Sequence, residues 1–200
     1  ALKVLPPALA VTWAKVVPDD FHARYSARER WYRYVLLNRP VRPAADRARV
    51  GWFYLPLASD KMQSAARLLI GEHDFSAFRS SECQARSPVR ILRRLDIGRR
   101  GDYVIFEFCA NAFLHHMVRN IVGCLVHVGK GKRAPEWIGE VLASRDRTQA
   151  APTFDAAGLY LARVVYDAAW CLPEAPRSAL PHLANLADEL KLDWSVRSAS

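Results

Sequence analysis

The sequence predicts an α+β fold, in which a mixed, largely antiparallel sheet carries helices packed on one face. Segments of period two indicate strands, segments of period 3.6 indicate helices, and a Gly- and Arg-rich turn between two strand-like segments indicates a hairpin. The chain has 200 residues and is 51% hydrophobic, which supplies apolar material for a core and excludes wholesale disorder. No apolar run approaches the roughly 18 residues that a membrane-spanning helix requires.

Two strands are predicted near the start of the chain. Leu9, Val11 and Trp13 alternate with smaller or polar residues, and the segment 18–20 (Pro-Asp-Asp) ends this first strand. The second strand covers residues 30–37, and its alternate side chains point to opposite faces of the sheet. One face carries Arg30, Tyr32, Tyr34 and Leu36, and the other carries Trp31, Arg33, Val35 and Leu37.

A loop rich in Pro and Arg is predicted over residues 38–49. A helix then begins near Ser59 or Asp60, either of which can cap it, and stops at Gly71. Farther along, residues 91–97 and 103–108 flank Gly98-Arg99-Arg100-Gly101-Asp102 as a hairpin, and residues 159–166 form a last strand.

The clearest helix is predicted over residues 114–128, where seven apolar residues share one stripe before Gly129. A second helix begins at Pro135, a favourable first-turn residue, and runs to about Ser144. After Cys171 the composition shifts to a Pro-interrupted tail, within which residues 183–192 could form a short amphipathic helix.

The positive charge is concentrated in one part of the chain. The formal net charge is +9, and residues 21–100 hold 17 Lys or Arg against 7 Asp or Glu, which is 17 − 7 = +10. Arginine dominates the cationic residues, and its planar fork suits phosphate oxygens and stacks on bases. A segmental positive field interleaved with aromatic residues is typical of a nucleic-acid partner.

The four cysteines, Cys83, Cys109, Cys124 and Cys171, are scattered and contain no C-x-x-C pair. This spacing favours reduced, buried thiols that pack as small hydrophobic side chains, in a protein of the cytoplasm.

Several polar residues admit more than one interpretation from their pattern. His115 and His116 suggest a metal, but adjacent helical residues point about 100° apart and cannot both grip one ion. We therefore predict no metal, and a structural or RNA-contacting role for this pair. Arg119 lies off the apolar stripe, where a solvated arginine is the simplest interpretation. Tyr32 and Tyr34 suit either core packing or a platform for base stacking.

Four sets of residues resemble, in order, signature segments of the TruA-type tRNA pseudouridine synthases. They are residues 18–27 with 30–34, residues 71–79, residues 111–123, and residues 157–161. Any one match could be chance, whereas four in the family's order across residues 1–170 are highly specific. The resemblance implies the C-terminal subdomain of the pseudouridine synthase fold.

The resemblance also implies an activity and a set of roles. The family is a cofactor-free isomerase that breaks the glycosidic bond of uridines in the tRNA anticodon stem-loop, at tRNA positions 38, 39 and 40. It then rotates the base and rejoins it through carbon 5. By similarity, Tyr32 stacks on the target base and is a candidate for removing the carbon-5 proton. Arg119 pairs with the nucleophilic aspartate, and Leu159 packs against the site. Within the matching segments, Arg24, His115 and His116 are expected to bind substrate, and the family commonly forms homodimers.

One family motif does not occur in the chain. The nucleophilic aspartate normally lies in an R-T-D-x-G-V-H motif, and no such string is present. We therefore expect a fragment that is inactive alone, in which residues 1–20 are a remnant of an N-terminal subdomain. Residues 21–170 would form the C-terminal subdomain, and residues 171–200 a tail without an assigned function. A non-catalytic RNA-binding module and a purely structural domain remain as alternatives.

Overall fold

The computed structural model describes Pro6 and residues 9–173. In these residues a six-stranded sheet and three α-helices follow one another in a mixed order. The strands are β1 (Ala27–Asn38), β2 (Gly51–Phe53), β3 (Gly71–Asp74), β4 (Val89–Arg100), β5 (Tyr103–Ala110) and β6 (Leu159–Tyr166). The helices are α1 (Ser59–Arg67), α2 (Met117–Gly129) and α3 (Trp137–Ser144).

The sheet is mixed and largely antiparallel, which confirms the predicted α+β class. Its order is β2-β1-β5-β4-β3, and β6 also pairs with β1. Strand β1 is central because β5 pairs with one of its edges while β6 and β2 divide the other edge between them. Of the strand pairs, only the short one between β1 and β2 is parallel in the described part of the chain.

The helices pack on one face of the sheet, where most of the hydrophobic core lies. The alternation predicted for β1 is confirmed: Tyr34 and Leu36 join the core beneath the helices. Val35 and Leu37 instead join a smaller cluster on the opposite face. That second face also buries an ion pair between Arg33 of β1 and Glu107 of β5. In the described residues, no helix is long and apolar enough to cross a membrane.

The hairpin and the last strand follow the sequence closely. Strands β4 and β5 turn at Gly101-Asp102, which is a tighter connection than the predicted five-residue turn, and both strands are longer than predicted. Gly101 has a φ of 54°, in the left-handed region that glycine adopts without a steric penalty. The bounds of β6 coincide with the prediction.

The predicted strand at Leu9, Val11 and Trp13 is wrong. The structure assigns no strand to these residues, and their exposed fractions of 61%, 56% and 42% show that little of the described chain packs over them. Alternation alone does not make a strand, because the backbone also needs a neighbouring strand for its hydrogen bonds. Strands β2 and β3 were not predicted, since three and four residues are too few to show a period.

Helix α1 begins at the predicted Ser59 but ends at Arg67, ahead of the predicted stop at Gly71, which instead opens β3. Helix α3 ends at Ser144 as predicted, but it begins at Trp137, two residues after the predicted start at Pro135. The prediction for the cysteines is confirmed for Cys83, Cys109 and Cys124, which are buried free thiols, and is wrong for Cys171, which is exposed. The helix predicted over residues 183–192 lies outside the described residues.

Candidate active site

A cleft of about 660 Å³ opens beside the helix-covered face of the sheet, where β1 and β6 meet the start of α2. The loop that precedes β4 closes one side of it through residues 82–85. All six side chains that the sequence predicted for the site line this one cleft: Arg24, Tyr32, His115, His116, Arg119 and Leu159. The tertiary structure therefore brings together residues from the two ends of the described chain.

Tyr32 reaches the cleft from β1, where it is paired with Phe108 of β5 and Leu161 of β6. The edge of its ring meets the ring of Phe113, with centroids 5.0 Å apart and planes at 78°. Burial raises the pKa of the Tyr32 hydroxyl, and the nearby charge of Arg30 lowers it only in part. Tyr32 is half-buried, so the cleft receives a neutral phenol on a ring that Phe113 holds in place.

Arg119 lies in α2 and is fixed by the segment that leads to β6. Its Nε donates a hydrogen bond to the carbonyl oxygen of Phe154 over 2.8 Å, and the Phe154 amide donates to the Arg119 carbonyl over 3.3 Å. Gly123 allows this segment to approach α2 closely, because a Cβ at that position would lie only 2.4 Å from the Pro152 carbonyl oxygen. Among the residues that the structure describes, no hydrogen bond or ion pair engages the two terminal nitrogens of Arg119.

His115 and His116 precede α2 and are not part of it, so the predicted helix over residues 114–128 starts too early by three residues. His116 has a φ of 62°, in the left-handed region, and this conformation breaks the helical path just before Met117. The two rings stack, with centroids 4.0 Å apart. Within residues 9–173 no three His, Cys, Asp or Glu side chains converge as they would around a metal ion.

The pKa of His116 is lowered, first by burial and then by the positive charges of His115 and Arg119. A lowered pKa favours the neutral imidazole at neutral pH, which has one donor and one acceptor nitrogen. His116 can therefore make hydrogen bonds to a polar ligand in the cleft as a neutral imidazole.

Leu159 is the first residue of β6 and is paired with Tyr34 of β1. Gly158 precedes it with a φ of 93°, and a Cβ at that position would lie 2.3 Å from the Val35 carbonyl oxygen. A glycine there allows the chain to pass close to β1, which places Leu159 on the wall of the cleft. Arg24 precedes β1, is exposed, and accepts a hydrogen bond from Arg30 through its carbonyl oxygen.

Twelve further residues line the cleft and were not predicted as site residues, and four of them carry an aromatic ring, a thiol or a guanidinium: Phe113, Cys83, Arg30 and Arg90. Burial raises the pKa of the Cys83 thiol, but hydrogen bonds from the Ala85 and His115 amides and the charge of Arg79 outweigh it, so its pKa is lowered. No periodic pattern in the sequence could have identified Cys83 as a site residue. Phe113, in contrast, lies within residues 111–123, one of the segments that resemble the family.

The chain resembles known proteins over most of its length. A family model described as tRNA pseudouridine synthase matches residues 65–167. A protein of Thiobacillus denitrificans named tRNA pseudouridine synthase A is 61% identical over 171 residues, which cover 86% of this chain and 66% of that relative. The relative of the same name in Nitrosomonas eutropha is 60% identical over 170 residues, which cover 85% of this chain and 61% of the relative.

A third relative, tRNA pseudouridine synthase A of Burkholderia multivorans, is 55% identical over 184 residues, which cover 92% of this chain and 68% of the relative. The chain thus spans about two thirds of the length of the relatives that it matches, from 61% to 68% in these three. The family model runs from the last turn of α1 to β6 and includes Arg119, Leu159 and the two histidines, whereas β1, with Tyr32, and β2 precede the matched residues. The chain belongs to the tRNA pseudouridine synthase family.

Proposed function

We propose that this chain is the C-terminal part of a synthase that isomerises uridine to pseudouridine in tRNA. The observation that carries the proposal is the position of Tyr32 and Arg119, which lie on a strand and a helix yet line the same cleft. The aromatic ring of Tyr32 and the apolar wall from Leu159 suit a flat base. The anchored guanidinium of Arg119 suits a carboxylate that must reach the sugar of that base.

In this reaction the bond between the ribose and nitrogen 1 of uracil breaks, the base rotates, and a bond from the ribose to carbon 5 forms. Carbon 5 loses its proton and nitrogen 1 gains one, so the product is an isomer of the substrate. We assign to Tyr32 the stacking on the base, and its hydroxyl, which is neutral in the cleft, can take the carbon-5 proton as it passes its own proton to nitrogen 1 or to water. No cofactor is required, because the reaction involves no net oxidation or group loss.

Arg119 orients the nucleophilic carboxylate. An opposite charge within reach lowers the pKa of a carboxyl group and keeps it ionised, and the planar fork also fixes its direction. The terminal nitrogens of Arg119, which no described residue engages, are suited to this pairing. The one carboxylate that lines the cleft in the described residues is Glu82, which is exposed and forms no ion pair with Arg119.

We therefore assign the nucleophilic aspartate to a segment outside these 200 residues. The relatives are longer than the matched region, which leaves room for such a segment. In this proposal residues 1–20 belong to the preceding subdomain, residues 21–170 form the C-terminal subdomain, and residues 171–200 are a tail. The resemblance extends the proposal to the anticodon stem-loop as substrate, to a homodimer of the longer protein, and to the cytoplasm.

The proposal is tested by the release of tritium from tRNA labelled at carbon 5 of uridine. This chain and a longer protein, encoded with the upstream reading frame, are compared at equal concentration. We expect release by the longer protein and none above background by the chain alone. Release by the chain alone would contradict the assignment of the aspartate and direct attention to Glu82. Absence of release by a folded longer protein that contains the R-T-D-x-G-V-H motif would contradict the activity and favour a non-catalytic RNA-binding module.

A further inference from the structure

A second groove continues from the cleft past the start of β1, and we call it the arginine groove. It encloses about 800 Å³, and its lining contains no aspartate or glutamate among the described residues. Five arginines line it: Arg24, Arg28, Arg30, Arg86 and Arg90. Six of its lining residues also line the cleft, so the two form one continuous surface.

Much of this positive charge is not neutralised by the residues that the structure describes. In residues 9–173, Arg24, Arg86 and Arg90 form no ion pair with a carboxylate, and Arg86 is exposed. Arg28 pairs with Asp167 at the surface, where such a pair is weak. Arginines this close repel one another, and bound anions relieve the repulsion. The groove therefore fits a polyanion.

An exposed aromatic residue identifies the class of polyanion. The Tyr25 side chain lies at the groove and is 77% exposed. The ring of His22 lies 4.4 Å from the Tyr25 ring, and the Arg24 guanidinium lies 5.8 Å from it. The amides of Arg24 and Tyr25 both donate to Nδ1 of His22, over 3.1 and 3.3 Å, which fixes the turn that presents the ring.

An exposed ring beside unpaired arginines suits a strand that has both phosphates and bases. Stacking on an aromatic ring tolerates any base, and arginine supplies both charge and a planar surface. An acidic peptide or an anionic membrane surface would use the arginines and leave the ring without a partner of its own. These observations favour single-stranded RNA over both.

We infer that the arginine groove binds the RNA strand next to the nucleotide held in the cleft, with Arg24 and Arg86 on phosphates and Tyr25 stacked on a neighbouring base. The identity of the nucleotide in the cleft rests on the proposed function. A nucleotide that leaves a stem-loop to enter the cleft carries its flanking backbone with it. Because the groove is continuous with the cleft, that backbone can enter it without crossing another part of the protein.

The test is the binding of this chain to a labelled RNA hairpin with a single-stranded loop, over a range of salt concentrations. Arg24→Gln combined with Arg86→Gln removes two charges from the groove. Arg47→Gln combined with Arg67→Gln removes two charges from exposed positions that line neither the groove nor the cleft. Circular dichroism confirms that each variant keeps the fold.

The groove variant should lower the slope of log affinity against log salt by about 0.7 for each phosphate that the protein no longer neutralises, and the control pair should leave the slope nearly unchanged. Tyr25→Ala should weaken binding about 5- to 150-fold with little change in slope, while Tyr25→Phe should restore it. If the groove pair and the control pair lose affinity equally, the proposal that the arginine groove binds RNA is wrong. If Tyr25→Ala has no effect and heparin displaces the RNA fully, the groove is a general polyanion site and the assignment of RNA as its ligand is wrong.

The binding result and the isomerisation assay can fail independently. Groove variants that lower RNA binding, in a longer protein that releases no tritium, would contradict the proposed function and support the groove. Tritium release by a longer protein whose groove variants bind like the control pair would support the function and contradict the groove.

Discussion

Arg119 and Phe154 hold each other through two hydrogen bonds, one from the Arg119 side chain to the Phe154 carbonyl and one from the Phe154 amide to the Arg119 carbonyl. The first bond uses Nε and so leaves the terminal nitrogens for another partner. The second ties the segment before β6 to α2. The side chain and the wall of the cleft are therefore positioned by the same pair of residues.

Arg119→Lys should cripple turnover in the longer enzyme while leaving tRNA affinity nearly intact. Lysine keeps the charge but loses both the fork and the Nε bond to Phe154, so the carboxylate is held without a fixed direction. We expect a fall of roughly a hundredfold in the single-turnover rate, the range seen when one electrostatic contact to the reacting groups is removed.

The matched control is Arg133→Lys, since Arg133 stacks over Trp137 at 5.2 Å and does not line the cleft. This control should turn over normally. Normal turnover by Arg119→Lys would show that Arg119 does not orient the nucleophile.

Tyr32→Phe should separate stacking from proton transfer. The phenylalanine ring keeps the contact with Phe113 and the stacking surface, so equilibrium tRNA binding should be unchanged. Removal of the carbon-5 proton should fail, and the rate should drop by roughly 10²- to 10⁴-fold. Single-turnover kinetics beside a binding titration distinguish the two effects. Tyr160→Phe, which changes a tyrosine outside the cleft, serves as the control. An unchanged rate for Tyr32→Phe would assign its hydroxyl to packing.

Stability should depend on pH through Glu107. Burial raises the pKa of this carboxyl to about 7 from its ordinary 4.5, although the charge of Arg33 opposes the rise. Because the folded-state pKa is the higher one, the stabilisation is complete below pH 4.5 and is lost as pH rises through about 7. The loss is at most about 3 kcal/mol.

The measurement is the free energy of unfolding in urea at several pH values, for the unaltered chain and for Glu107→Gln. The difference between the two isolates the titration of this one group from that of the others. A difference that does not change from below pH 4.5 to above pH 7 would contradict the raised pKa.

Two glycines allow a matched comparison of backbone strain and steric overlap. Gly101 and Gly158 both have positive φ, at 54° and 93°. A Cβ at Gly101 would meet no atom within 4 Å, whereas one at Gly158 would lie 2.3 Å from the Val35 carbonyl oxygen and 2.6 Å from the Gly51 nitrogen. Gly101→Ala should cost about 1 to 2 kcal/mol from backbone strain, and Gly158→Ala should cost about 1 to 3 kcal/mol more from overpacking. Equal losses of stability in urea denaturation would show that β6 can shift away from β1 freely.

Local patterns in the sequence determined the elements whose geometry repeats along the chain. The alternation through Tyr34 and Val35 assigned the faces of β1 correctly, and the bounds of β6 were predicted residue by residue. A side chain's direction along a strand follows from the backbone itself and needs no distant partner. The segments that resemble the family likewise singled out Tyr32 and Arg119 as predicted site residues.

Only the tertiary structure decided which of these side chains meet. The pairing of β1 with β6, and the contact of Phe154 with α2, bring Tyr32, Arg119 and Leu159 to one cleft across large separations in the chain. Local sequence patterns also could not predict the left-handed conformation of His116 or the lack of a strand at residues 9–13. A strand exists when another backbone satisfies its hydrogen bonds, and a strained residue persists when surrounding contacts hold it. Both conditions depend on residues that are distant in the sequence.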